Sequence, residues 1–325
     1  MSILCRVTRG ELTESIHVVF AVVVNESGQI FSSGDPYHFT CVRSTLKPFQ
    51  AAAAVKSGAV DAANFSEKEL AIMCASHYGE QYHIDTVEKM IHKLGLSPDD
   101  FECGAHYPSD RESRHQIIKN NQAPNPFHNN CSGKHAGMLA FAQYLGSDIK
   151  GYVQKDHPVQ KKIKQLVQEI SGLEEIPTEI DGCSAPTPFM TLESLAIMFQ
   201  KLGSGEYEEL NRVFNAMSKH PMMIGGTNNF DTEFIEALHG RGITKIGGES
   251  IRGITLKTKN RESIGIALKV LDGNFRALPV ATITLLDHLK LLSDSEAKIL
   301  NKFKTKIIRN HNQLEIGRIE ATVEI

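Results

Sequence analysis

Apolar, β-branched segments lie towards both ends of this chain and helical periodicity fills the stretch between them. That order is the strongest constraint on how it can fold. Residues 15–24 (SIHVVFAVVV) read as a strand, Glu26-Ser27-Gly28 as a turn, and Gln29-Ile30-Phe31 as the start of a returning strand. Residues 67–74, 83–94, 134–145, 157–170, 192–202 and 206–217 carry apolar side chains at helical spacing, separated by loops rich in Gly, Pro and Asn. After Gly240, residues 251–258 and 263–271 flank Lys259-Asn260-Arg261-Glu262 as a second hairpin. Residues 280–292 return to helix, 293–309 are expected to be helical too, and 314–325 read as a strand with no partner assigned. The expected fold class is α+β, an antiparallel sheet built from both chain ends with an inserted helical lobe. Residues 1–65 plus 225–325 would form the sheet lobe and 66–224 the mainly helical lobe, with a cleft at their junction near Ser44.

Composition narrows the partners. A chain of 325 residues, 41% hydrophobic and 22% charged, can bury a sizeable core. A net charge of −3 offers no general attraction to nucleic acid or to an anionic membrane, so a small-molecule ligand is expected. The opening residues lack a basic flank followed by a long apolar run, and no stretch reaches membrane-spanning length. A cytoplasmic protein is expected. Six scattered cysteines, without the density of a secreted scaffold, point to reduced thiols.

The stretch Arg43-Ser44-Thr45-Leu46-Lys47-Pro48 carries the first candidate chemistry. A serine and a lysine three residues apart at a helix start face the same side, so a neutral Lys47 amine can take the proton of Ser44 as it attacks a carbonyl. Bringing a lysine from about 10.4 to about 7–8 corresponds to roughly 3–4 kcal/mol, supplied by burial or a second cation. Pro48 fits only a first turn and places Ser44 at the helix N-terminus, while disfavouring helical angles at Lys47. Taken alone, S-x-x-K more often marks a capping serine before a surface lysine.

Lys245-Ile246-Gly247-Gly248-Glu249-Ser250 is the second element. A lysine followed by glycines at an edge strand matches the K-T-G element of S-x-x-K enzymes, and Lys245 is then the second cation. Ser76, in Ala75-Ser76-His77-Tyr78-Gly79-Glu80, can supply the middle serine bridging both lysines, with His77 behind it. Two polar turns, Asn129-Asn130-Cys131-Ser132-Gly133-Lys134-His135 and Asp181-Gly182-Cys183-Ser184, each bring one cysteine. Their thiols can bind Zn²⁺ if they meet, with Lys134, His135 or His128 as nitrogen donors, although spacing without C-x-x-C is a weak signal. The Gly225–Thr232 stretch lacks both the P-loop lysine and the dinucleotide glycine spacing; it reads as a hinge with Asp231 or Thr232 capping a helix.

In order along nearly the whole chain, RSTLKPFQA, ASHYGE, CGAHYP, NNCSGKHAGML, DHPVQ, DGCSAPTP and KIGGES resemble the asparaginase II family of the rhizobial type. The resemblance implies a serine β-lactamase/glutaminase-like fold and hydrolysis of L-asparagine to L-aspartate and ammonia. It implies Ser44–Lys47 and Ser76–Lys245 as two catalytic Ser-Lys pairs, and Arg43, Asn130, His135 and Asp181 around the substrate. It further implies Cys131, Lys134 and Cys183 as ligands of a Zn²⁺ ion. Tyr78 stands where relatives often have a small residue, and this bears on pocket size. The expected assembly is a homodimer. L-Glutamine is a second candidate substrate, since one methylene is worth only about 1–3 kcal/mol. A β-lactamase or D-peptidase satisfies the same serine and lysine motifs, and a catalytically silent asparagine sensor would bind without turnover.

Overall fold

The computed structural model describes residues 2–323, and among these an eight-stranded antiparallel sheet forms from the two ends of the chain. Its strands are β1 (Ile3–Arg9), β2 (Leu12–Asn25), β3 (Gly28–Ser33), β4 (Gly242–Gly247), β5 (Ile251–Lys257), β6 (Ser263–Val270), β7 (Lys306–Arg309) and β8 (Glu315–Val323). The order across the sheet is β7-β8-β1-β2-β6-β5-β4, and β3 also pairs with β2. One edge of β2 holds β6, from Val19 opposite Val270 to Val24 opposite Gly265. The other edge is shared, with β1 alongside residues 12–19 and β3 alongside residues 21–25.

The apolar run in β2 has a local cause. Residues 21–24 are buried without alternation, as expected of a strand covered on both faces. The helix Leu192–Ser204 packs on β2, β5 and β6. At Gly265 a side chain would stand 2.0 Å from Ala196 O, so only glycine lets that helix lie so close. The helix Leu278–His288 packs on β1 and β8, with Val7, Val280 and Ile319 in one buried cluster.

The chain divides into two compact units. Among the described residues, the sheet unit takes 2–45, Met190–Ser204 and 237–323; the helical unit takes Leu46–Phe189 and Gly205–Glu236. The boundary therefore lies at Thr45 rather than near residue 65, and the return lies at Ala237 rather than at 225. One central helix belongs with the sheet, because its apolar face is spent on β2, β5 and β6. In the helical unit, Lys47–Ser57 is buried through Val55 and packs against Ser132–Tyr144, Pro158–Ser171 and Glu208–Lys219. The run Ala51–Ala54 suits a helix enclosed on several sides, since small side chains allow close approach.

The six expected helices of the middle region all form, with ends within about two residues. The expectation of helix over 293–309 is corrected: Asp294–Leu300 is helical, Asn301–Phe303 is a 3-10 turn, and Lys306–Arg309 is the edge strand β7. Leu314 onward does form a strand, β8, whose partners are β1 and β7; residues 324 and 325 of that expectation lie outside the described residues. β1 carried no expectation. It alternates buried and exposed positions only over a short span, a pattern that needs its two neighbours to become stable. No helix among the described residues is long and apolar enough to cross a membrane.

Candidate active site

Ser44 lies in a 3-10 turn, Arg43–Leu46, that runs directly into the α-helix beginning at Lys47, with Pro48 in its first turn. The proline restriction at Lys47 accounts for the tighter turn before it. Thr45 closes this turn by donating both its N–H (3.2 Å) and its hydroxyl (2.6 Å) to Val42 O. Arg43 sits at φ 49°, a left-handed conformation that costs a non-glycine residue about 1–3 kcal/mol. Ser44 itself is half-buried.

Within the sheet unit, Lys245 is an interior residue of the edge strand β4; it is fully buried and donates to Ile246 O at 2.6 Å. Gly247 and Gly248 follow. A Cβ on Gly247 would lie 3.0 Å from Val42 O, and one on Gly248 would lie 2.9 Å from Arg43 Cζ. The glycines thus let the β4–β5 turn press against the residues just before Ser44.

Within the helical unit, the buried Lys47 amine donates to Ala75 O, to Ser76 Oγ at 3.0 Å and to Asn130 O at 3.3 Å. Two of these are carbonyls, which only accept; of the three oxygens, only the Ser76 hydroxyl can also give up a proton. Ser76 is held by its own N–H to Ile224 O at 3.0 Å. His77 locks the segment, accepting from Gly79 N at Nδ1 (3.2 Å) and sharing a 2.9 Å bond between Nε2 and Ser132 Oγ. Burial, together with the charges of His83 and Lys47, holds His77 well below its usual range, so it is neutral there. Asn130 N donates to His106 Nε2 at 3.0 Å, and Asn129 ties Cys131 N to the carbonyls of Cys103 and Gly104. His106 and Asn129 were not among the expected site residues. Both sit in quoted motifs, CGAHYP and NNCSGK, but their role depends on contacts about 25 residues apart in sequence. Gly133 lets helix Ser132–Tyr144 meet helix Glu67–Met73, because a Cβ there would fall 2.2 Å from Ile72 O.

The two cysteine turns meet in the same unit. Cys131 caps the helix Ser132–Tyr144, and Cys183 sits in a tight hairpin where Ser184 takes φ 68° and Asp181 N donates to Ala185 O. Lys134 Nζ donates to Cys183 Sγ at 2.9 Å. The Cys131 thiol donates to Asn130 Oδ1 at 3.3 Å; its interaction with Cys183 raises Cys131 and, against burial, lowers Cys183 towards thiolate, with Lys134 and His135 helping. Burial pulls Lys134 down, but the Cys183 and Cys131 charges outweigh it, and Lys134 ends above its usual range. Burial lowers His135 to about 4, which leaves it neutral, and its Nδ1 lies 2.7 Å from Tyr152 OH. Asp181 is half-buried, accepts from Gly182 N at 2.7 Å, and adds its charge near Lys134. His128 does not join this group; its Nδ1 is engaged with Asn125 in a capping turn. Neither Asp231 nor Thr232 caps a helix as expected, since Asn229 Oδ1 accepts from Asp231 N at 2.8 Å and takes that place.

Among the described residues no cluster of three or more His, Cys, Asp or Glu side chains is arranged for a metal. Cys131, Cys183 and Lys134 nevertheless converge, and two buried sulfurs with one amine are a donor set that suits a soft divalent ion once the amine is neutral.

No curated protein matches this chain. Similar solved structures include Mglu in its native form, with 14% identity and a TM-score of 0.46 over 85% of this chain. The chain spans 65% of the length of Mglu. A beta-lactamase from Mycobacterium bovis shows 12% identity and a TM-score of 0.47, covering 83% of this chain and 94% of that one. A beta-lactamase from Sphaerobacter thermophilus DSM 20745 shows 12% identity and a TM-score of 0.43, covering 85% and 92%. A sequence model of L-asparaginase II matches residues 5–321, and the chain therefore belongs to the L-asparaginase II family of hydrolases.

Proposed function

We infer that this protein hydrolyses L-asparagine to L-aspartate and ammonia through a serine ester. The observation that carries the reading is the buried amine of Lys47 with Ser76 Oγ at 3.0 Å, in a chain of the L-asparaginase II family. Ser44, on the turn that precedes Lys47, is the nucleophile, and Lys47 is the base that takes its proton as it attacks the side-chain amide carbon. Backbone N–H groups at the helix start stabilise the oxyanion. The proton then reaches the leaving ammonia through Ser76, whose hydroxyl accepts from Lys47 and can also donate. Water resolves the β-aspartyl ester by the reverse route. In this reading Ser76 and Lys245 take the roles of the family's second Ser-Lys pair, and Arg43, Asn130, His135 and Asp181 are the residues assigned to the amino-acid end of the substrate.

A Zn²⁺ ion belongs to this reading: Cys131, Lys134 and Cys183 would hold it, and bound there it would supply a positive centre for the substrate's α-amino or α-carboxylate group. Support for it comes from the convergence of the two sulfurs and the amine. The protein acts in the cytoplasm as a homodimer. An ammonia-release panel over asparagine and glutamine, with and without added zinc, tests the reading. Asparagine turnover above glutamine turnover is expected, and binding of asparagine without ammonia would overturn it.

A further inference from the structure

The protons around Tyr152 can be counted. Tyr152 is fully buried, and its hydroxyl has two hydrogen-bond partners among the described residues: Glu102 N at 2.9 Å and His135 Nδ1 at 2.7 Å. The amide of Glu102 can only donate, so it occupies a lone pair of the hydroxyl oxygen. If His135 Nδ1 also carried a proton, the oxygen would accept twice. Its own proton would then be buried with no acceptor, at a cost comparable to a lost buried hydrogen bond. The count closes only if the hydroxyl donates to an unprotonated Nδ1. A neutral imidazole then carries its proton on Nε2. That nitrogen is buried and makes no hydrogen bond among the described residues, while the ring as a whole helps to lower the nearby Cys183 thiol.

The phenol is itself held in place. Gln160 Nε2 donates to Tyr152 O at 2.8 Å, and Glu102 Oε1 accepts from Gly151 N at 2.7 Å, so the backbone on both sides of the hydroxyl is tied down.

We propose that Tyr152 is a positioning residue that fixes His135 in its Nε2–H form. With its one lone pair spent on the Tyr152 hydroxyl, the imidazole is withheld from any metal that the two cysteines and Lys134 bind. This rests on the zinc-dependent reading above for its consequence, but not for its test. It explains how a histidine adjacent in sequence to Lys134 stays out of the ligand set and leaves a position open for substrate. An N–H donor beside a metal ligand is also the type of outer group whose removal typically weakens metal binding about 10–100-fold, and the nearness of His135 to Cys183 puts it in that position.

The test is a long-range proton–nitrogen correlation spectrum of the histidine rings in the metal-free full chain, with the His135 signals assigned by their loss in His135→Gln. The expected spectrum has His135 protonated at Nε2 and bare at Nδ1, and Tyr152→Phe shifts it to the other tautomer or to a mixture. A wild-type ring protonated at Nδ1, an imidazolium at neutral pH, or an unchanged Nε2–H ring in Tyr152→Phe each overturns the proposal. Competition titration of zinc against a chromophoric chelator supplies a second readout. His135→Ala should weaken zinc about 10–100-fold, with His135→Gln recovering most of it by restoring an N–H donor. Equal losses in both variants would make His135 a direct ligand and overturn the proposal. The ring spectrum needs neither metal nor substrate, so it decides this inference even where the hydrolase reading fails its ammonia assay.

Discussion

Replacing Lys47 by methionine removes the amine while keeping an unbranched side chain of similar reach. Three oxygens lose a donor: Ala75 O, Ser76 Oγ and Asn130 O. The serine can turn to another partner, but the carbonyls cannot. Each buried acceptor left without its hydrogen bond costs about 1–3 kcal/mol, so destabilisation of about 2–6 kcal/mol is expected before the gain from burying an apolar chain. The catalytic loss is separate. A positioned general base contributes about 10²–10⁴-fold, equivalent to about 2.7–5.5 kcal/mol in the barrier. Urea unfolding measures the first effect and steady-state ammonia release the second, both at a temperature where the variant stays folded. A folded Lys47→Met protein whose kcat/KM for asparagine lies within about tenfold of wild type would remove Lys47 from the chemistry, because no base contributes so little.

Ser44→Ala should abolish ammonia release and leave the urea midpoint unchanged; normal turnover in that variant refutes the nucleophile assignment. Gly133→Ala should cost at least about 1–3 kcal/mol in urea unfolding, because the new methyl meets Ile72 O at 2.2 Å and helix backbone cannot turn aside, so an unaltered midpoint would contradict the packing. His83, hydrogen-bonded to Met222 O, is lowered by burial to about 4 from 6.5. Between those values the unfolded chain takes up a proton that the folded one refuses, so stability falls as pH drops through the window, by up to about 3 kcal/mol, and His83→Gln should flatten that slope. An identical slope in the variant would show that other groups cause it. Thorough chelation should remove asparaginase activity and added zinc restore it; activity that persists takes the metal out of the mechanism.

Several features were legible because they are local. The continuous apolar run of β2, the hairpin around Asn260 and the six amphipathic helices each announce themselves within about fifteen residues. So did the helix start at Lys47, since Pro48 admits few alternatives. Failures came where local pattern and tertiary partner disagree. Residues 306–309 were read as helix because Lys306-Ile307-Ile308-Arg309 continues a helical-looking segment, yet their hydrogen bonds go to β8, a strand that itself depends on β1 at the far end of the chain. The place of residues 192–204 failed similarly: an amphipathic helix advertises an apolar face but not the sheet that covers it.

By itself the sequence determined the inventory: which segments favour strand or helix, which side chains can attack, accept a proton or hold a soft metal, and the family to which their order belongs. Only the tertiary structure decided which donor meets which acceptor. It paired Lys47 with Ser76 and Asn130, turned His128 away to cap its own turn, and set Tyr152 against His135. The reason is one of range. Propensity and periodicity act over a few residues of chain. The protonation and orientation of a buried polar side chain are settled instead by partners brought from distant segments, because in the interior each such group must find a hydrogen bond there or go without.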